Sequence, residues 1–152
     1  MKVYIASSFS LIPKVLKVEK ALEDAGFTVL CKWWTGLDHI VGEQQSLRNF
    51  GDVADPDSFY SQPACKTASD RDIAGVKEAD FLVFVADDKP RAYNGANIEL
   101  GIAIGADKTC FSVGVLENSA LYHRVIKCKD IDDLLRRINS HSGINKHAGW
   151  RS

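Results

Sequence analysis

The run Phe81-Leu82-Val83-Phe84-Val85 constrains the fold of this chain more than any other stretch. It shows no alternation of polar and apolar residues, and all but Leu82 are β-branched or aromatic. Such a strand needs cover on both faces, which a parallel sheet between two layers of helix provides. Acidic residues bracket it at Asp80 and Asp87.

The rest of the chain supplies the partners for that arrangement. Lys2 to Ala6 is predicted as a first strand, with Val3 and Ile5 on one face and Tyr4 and Ala6 on the other. Leu11 to Ala25 is predicted as a helix: Val15, Val18, Ala21 and Leu22 recur at helical spacing, and Gly26 suits a left-handed stop. Phe27 to Trp33 is the second strand. Ser69 to Ala79 reads as a helix with Ser69 as its cap and Asp70 and Asp72 in its first turn, where negative charge is favoured. The buried strand spans Asp80 to Ala86. Gly95 to Ala106, Thr109 to Val115, Val125 to Cys128 and Ile131 to Ile138 continue the pattern, the last helix capped by Asp130. Strands alternating with helices imply an α/β fold, a three-layer doubly wound parallel sheet of about five strands, flavodoxin-like or Rossmann-like. We expect one α/β domain over 1–138 and a polar, loosely held tail over 139–152. The connection from Thr35 to Lys66 is long and rich in glycine and proline, and is expected to hold short helical pieces and a lid-like stretch.

Composition narrows the function. Hydrophobic residues make up 45% of the 152, enough for one sizeable core, and the formal net charge of −1 gives no general pull toward nucleic acid or membrane. No apolar run approaches the roughly 20 residues that span a bilayer. The N-terminal apolar pattern is too short for a signal-peptide core. Cys31, Cys65, Cys110 and Cys128 have neither C-x-x-C nor zinc spacing. We therefore expect a reducing, cytoplasmic setting, no disulfides, no metal and no cofactor.

Doubly wound sheets bind ligands at the carboxyl ends of their strands, where the strand order reverses. That brings residues 6–10, 33–36, 87–97 and 114–119 round one crevice. Within it Glu99 is the first candidate for chemistry. It lies about one turn inside the helix that begins at Gly95, and helical side chains lean toward the N-terminus. An ordinary first-turn glutamate is the plain alternative. The neighbours Ile98, Leu100, Ile102, Ala103 and Ile104 make that helix nearly all apolar, so a carboxylate there is partly buried and needs a partner or a purpose. Asp72 is the second acid, either a helix-start charge or a proton-handling group facing Glu99; two carboxylates at a glycosidic bond can divide the labour. Tyr4 points into the sheet interior with its hydroxyl near the strand end.

Ser7 and Ser8 suit a phosphate or sugar hydroxyl, or simply a turn. Trp33 and Trp34 are either both core, or one of them stacks on a flat base. His123 suits acid–base work but stands alone. No G-x-G-x-x-G, P-loop or G-x-S-x-G motif is present.

These pieces together resemble the nucleoside 2-deoxyribosyltransferase family and its relatives, the nucleotide N-glycosidases. The resemblance is carried by Val3-Tyr4-Ile5-Ala6-Ser7, Ala25-Gly26-Phe27, Asp72-Ile73-Ala74-Gly75-Val76 with Ala79-Asp80, Gly95-Ala96-Asn97-Ile98-Glu99-Leu100-Gly101-Ile102-Ala103, and Val113-Gly114 to Asn118. It implies that Glu99 attacks the anomeric carbon of a (deoxy)nucleoside or nucleotide, that Asp72 contacts the base and assists proton transfer, and that Tyr4 hydrogen-bonds the nucleophile. It implies substrate contacts from Ser7, Ser8, Phe9, Trp34, Asn94, Gly95 and Asn97. It also implies a homo-oligomer in which Asn118 serves a neighbour's site. The chain departs from the family where transferases carry a further acid that grips the sugar hydroxyls. Tyr93 and Asn94 stand there instead, while Asp87 and Asp88 lie earlier. That departure leaves transfer and hydrolysis both open, the latter on a nucleoside 5′-monophosphate with Lys89 and Arg91 as nearby bases. A non-catalytic nucleotide-binding or sensing domain is the alternative on the same fold.

Overall fold

The computed structural model describes residues 1–35, 61, 63–89, 91, 93–116, 120–141 and 144. Five strands, β1 (Lys2–Ala6), β2 (Thr28–Leu30), β3 (Phe81–Val85), β4 (Thr109–Val113) and β5 (Ile126–Cys128), form one parallel sheet in the order β2-β1-β3-β4-β5. The described helices are α1 (Ile12–Asp24), α2 (Pro63–Glu78), α3 (Asn94–Gly105) and α4 (Ile131–Ser140). α1 and α4 pack against each other on one face, and α2 and α3 on the other. This is the doubly wound α/β layout expected from the sequence.

Every residue of β3 is buried, as its unbroken apolar run requires. The two faces of the sheet are filled differently. On the α1 side Phe27, Phe81 and Phe111 form a chain of edge-to-face rings, with centroids 5.3 and 6.0 Å apart. On the other side Phe84 meets Tyr93 at 5.1 Å, and Tyr4 lies between Leu30 and Leu82 in register. α1 presents Val15, Val18 and Leu22 to the core and ends at Gly26, whose φ of +92° suits glycine. α4 is closed by a reciprocal cap. Asp130 accepts from the Asp133 N–H at 2.8 Å, and Asp133 accepts from the Lys129 N–H at 2.9 Å.

Several elements differ from the sequence expectation. α2 starts at Pro63, not at Ser69, because proline is at home in a first helical turn. Ser69 is therefore no cap, and Asp70 and Asp72 are not first-turn acids. β2 stops at Leu30: Cys31 takes a left-handed φ of +62°, and Trp33 and Trp34 lie in a turn. α4 runs on to Ser140, two residues past the expected Ile138, and Ile144 is 3% exposed. The lid-like stretch expected between Thr35 and Lys66 lies outside the described residues over 36–60, and Asn118 lies outside them too.

The strand order reverses between β1 and β3, so the crevice opens at their carboxyl ends. Its edge is drawn tight at Gly114, just past β4. There φ is +93°, and an added Cβ would stand 2.3 Å from the Ala86 carbonyl oxygen. The Ala86 N–H in turn donates to the Val113 carbonyl at 2.8 Å.

Candidate active site

Tyr4 is fully buried in β1, and its hydroxyl donates to Glu99 Oε1 at 2.9 Å. Glu99 is the sixth residue of α3, whose Ala96, Leu100 and Ala103 lie against the sheet. That seating draws the Glu99 carboxyl out of water. Burial first, and then the charge of Asp72, push its pKa up to about 8, against a downward pull from the Tyr4 bond. Burial drives the Tyr4 phenol far above its ordinary value, so it remains a neutral donor.

Asp72 reaches the same place from the middle of α2. Burial raises its pKa, while Cys31, Arg71 and the Tyr4 hydroxyl oppose the rise. Tyr4 thus bonds Glu99 and lies near enough to Asp72 for each to feel the other's charge. Cys31, just beyond β2, donates its thiol to Asp72 Oδ1 at 3.1 Å. Close packing allows this. Gly75 lies one turn past Asp72 on α2, and a Cβ there would come within 2.9 Å of Cys31 Cβ and 3.2 Å of the Tyr4 ring.

Tyr4, Asp72 and Glu99, the three residues singled out for chemistry, are thus brought together. The surrounding candidates divide. Ser7 Oγ donates to the Val85 carbonyl at 2.7 Å, and Ser8 shares a hydrogen bond with Ser10 at 2.9 Å. Phe9 stands edge-on to Trp33 with centroids 5.0 Å apart. Asn94 and Gly95 are exposed at the start of α3, with open space about Gly95. The Asn97 Oδ1 is buried without a partner among the described residues. Trp34 is not placed as a base-stacking group. It is 5% exposed, and its indole N–H donates to Glu19 on α1 at 3.0 Å, on the opposite face of the sheet. His123 is exposed in a short turn against Tyr122.

At the position where a sugar-gripping acid was sought, the Tyr93 hydroxyl accepts from the Asp87 N–H at 2.7 Å. The Asp87 carboxylate is occupied by Arg91 at 2.7 Å, which holds its pKa below the ordinary range. Arg91 also reaches Ser10 Oγ at 3.0 Å.

Cys31 and Gly75 are the site residues that sequence reasoning missed. Cys31 stands in no C-x-x-C or zinc spacing, so motif spacing does not mark it. The usable signal was its position just past the carboxyl end of β2, the strand paired with β1.

No protein-family model matches this sequence, and no curated protein matches it. Solved structures do. A 2-deoxyribosyltransferase from the psychrotolerant bacterium Bacillus psychrosaccharolyticus is 21% identical over 88% of this chain and 90% of that one, with a TM-score of 0.60. The CMP N-glycosidase BcmB of Clostridium botulinum is 13% identical over 91% of this chain and 99% of that one, with a TM-score of 0.55. The chain shares their fold.

A carboxyl whose folded pKa is raised binds its proton more tightly in the folded state than in the unfolded one. Its contribution to stability is complete below the unfolded value of 4.5 and is lost as pH rises through about 8. Thermal melts across this window should show the wild type losing stability toward alkaline pH. Glu99→Gln, which cannot ionise, should flatten that loss and melt above the wild type at about pH 9. Parallel pH profiles for the two proteins would place the buried charge elsewhere.

Proposed function

We propose that this protein cleaves or exchanges the N-glycosidic bond of a (deoxy)nucleoside or nucleotide, with Glu99 as the nucleophile. The observation that carries the reading is a half-buried glutamate held by a buried tyrosine and facing a second half-buried acid. It is supported by the shared fold with two enzymes, a 2-deoxyribosyltransferase and a CMP N-glycosidase.

The chemistry follows from the pair. In the resting protein the shared proton sits on Glu99, where a buried charge is costlier. Substrate binding shifts it to Asp72, leaving Glu99 as the carboxylate, which the Tyr4 hydroxyl continues to hold. A Glu99 oxygen then bonds to the anomeric carbon as the C–N bond breaks. The electron pair leaves with the base, and Asp72 gives its proton to that base. The developing oxocarbenium charge is stabilised by the same carboxylate. Water, or a second base in a transferase, then attacks the anomeric carbon and frees Glu99, and the attacking group's proton returns to Asp72. The buried, unpartnered Asn97 Oδ1 is an acceptor for a substrate hydroxyl. Ser7, Ser8, Phe9, Asn94 and Gly95 complete the proposed substrate contacts.

A specific observation favours hydrolysis of a 5′-monophosphate as the second reading. Asp87 is tied to Arg91 and so is poorly placed to grip sugar hydroxyls, while Arg91 reaches the Ser10 hydroxyl beside Ser8. A panel of nucleosides and 5′-monophosphates, with and without an acceptor base, separates the readings. Free base should appear with wild type and fall by at least about 1000-fold in Glu99→Gln, the scale lost when a covalent nucleophile is removed, with ligand binding retained. Monophosphates cleaved without acceptor dependence would select the hydrolase. Tight binding with no base released from any substrate would select a non-catalytic sensor.

We further propose that the chain pairs with a second copy through α3. Ile98 on that helix is 65% exposed and Ile73 on the adjoining α2 is 37% exposed, two large apolar side chains left in solvent on the helices that carry the site. Light scattering should return a multiple of 16.8 kDa, and Ile98→Asp should reduce it to one chain; a wild-type monomer would reject the pairing.

A further inference from the structure

We propose that Cys31 is a positioning residue of this site, whose thiol holds Asp72 as the anion opposite Glu99. As a role in turnover this rests on the glycosyl-transfer reading; as a statement about the resting protein it does not.

Three observations converge on Cys31. Its backbone is left-handed at φ +62°, a conformation that glycine or asparagine adopts readily and other residues rarely. From that pose the sulfur reaches the Arg71 carbonyl at 3.7 Å and Asp72 Oδ1 at 3.1 Å. The facing helix is cut away to admit it: any side chain at Gly75 would meet Cys31 Cβ at 2.9 Å. The cysteine and the glycine are thus complementary, one on each side of a contact that ends on a carboxylate. Cys110 and Cys128 differ, since they donate to the carbonyls of Lys108 and Ile126 two residues away.

The thiol acts here as a donor. Burial and then Asp72 push its pKa up to about 12, so it is protonated throughout the working range, which suits neither a nucleophile nor a metal ligand. A donor on a carboxylate favours the charged form. The other groups facing Asp72 are Tyr4 from β1, Glu99 from α3 and Arg71 on its own helix. Cys31 thus adds to Arg71 and Tyr4 in keeping Asp72 ionised, and the one proton of the pair is left to Glu99. With one oxygen of Asp72 fixed by sulfur, the carboxylate is oriented before substrate arrives.

The test compares wild type, Cys31→Gly and Cys31→Ser. Glycine deletes the thiol while suiting the left-handed backbone, and serine keeps a donor. Carboxyl carbon NMR titration of the whole protein reads the pair directly, and the pH profile of base release reads it in turnover. In Cys31→Gly the lower of the two apparent carboxyl pKa values should rise by about half to one unit, as expected for losing one hydrogen bond to a carboxylate. The upper value, carried by Glu99, should stay. The acid limb of the rate profile should move with the lower value, and Cys31→Ser should bring both back. A folded Cys31→Gly with an unmoved lower midpoint overturns the proposal. So does a loss of rate that is uniform across pH, which marks a packing role. Should the wild type release no base from any substrate, the glycosyl reading falls, and the NMR midpoints still decide the role of Cys31.

Discussion

The hydrogen bond from Tyr4 to Glu99 is the point on which both the packing and the proposed chemistry of this protein depend. It joins an interior strand of the sheet to a helix packed on its face, and it does so with polar groups at the edge of an apolar core. Withdrawing a carboxyl from water is unfavourable unless it is hydrogen-bonded or protonated. Glu99 has both remedies: a neutral phenol that donates to it, and a raised pKa that lets it hold a proton at neutral pH. A second acid on a second helix then makes the state of one carboxyl depend on the other.

The fold serves that arrangement closely. The parallel register sets Tyr4 between Leu30 and Leu82, which fixes the direction of its ring. The order reversal beside β1 lets α2 and α3 approach the same face, so Asp72 and Glu99 converge although 27 residues separate them in the sequence. Gly75 brings α2 down onto Tyr4 and Cys31. On the opposite face aromatic residues do ordinary packing, and the indole N–H groups of Trp33 and Trp34 bond the Ile5 carbonyl and Glu19 there. The site therefore lies on one side of the sheet and the aromatic anchor on the other.

Much of this was legible in the sequence because the signals are periodic. The unbroken apolar run at Phe81 to Val85 demanded a sheet covered on both faces, and the near-absence of polar residues round Glu99 marked it as out of place. The parts that were not legible depend on backbone geometry rather than on residue type. Pro63 starts α2 two turns before the polar residues that looked like a cap, so Asp72 sits mid-helix and half-buried, where no helix-end charge effect explains it. The left-handed turn at Cys31 has no sequence signature, since cysteine is not the residue one expects there. Trp34 looked free to stack on a base because strand periodicity cannot say which face of a sheet the chain beyond its end will turn to.

The central claim is that Glu99 forms a bond to sugar. The direct measurement is intact-mass and peptide mass spectrometry of protein quenched in acid during turnover with a slow 2-deoxynucleoside or 2-deoxynucleotide substrate. The account predicts a mass increase of one deoxyribosyl unit, with its phosphate if the substrate carries one, located on the peptide containing Glu99 and missing from Glu99→Gln. Base release by the wild type at full rate, with no adduct on that peptide and undiminished activity in Glu99→Gln, would contradict it.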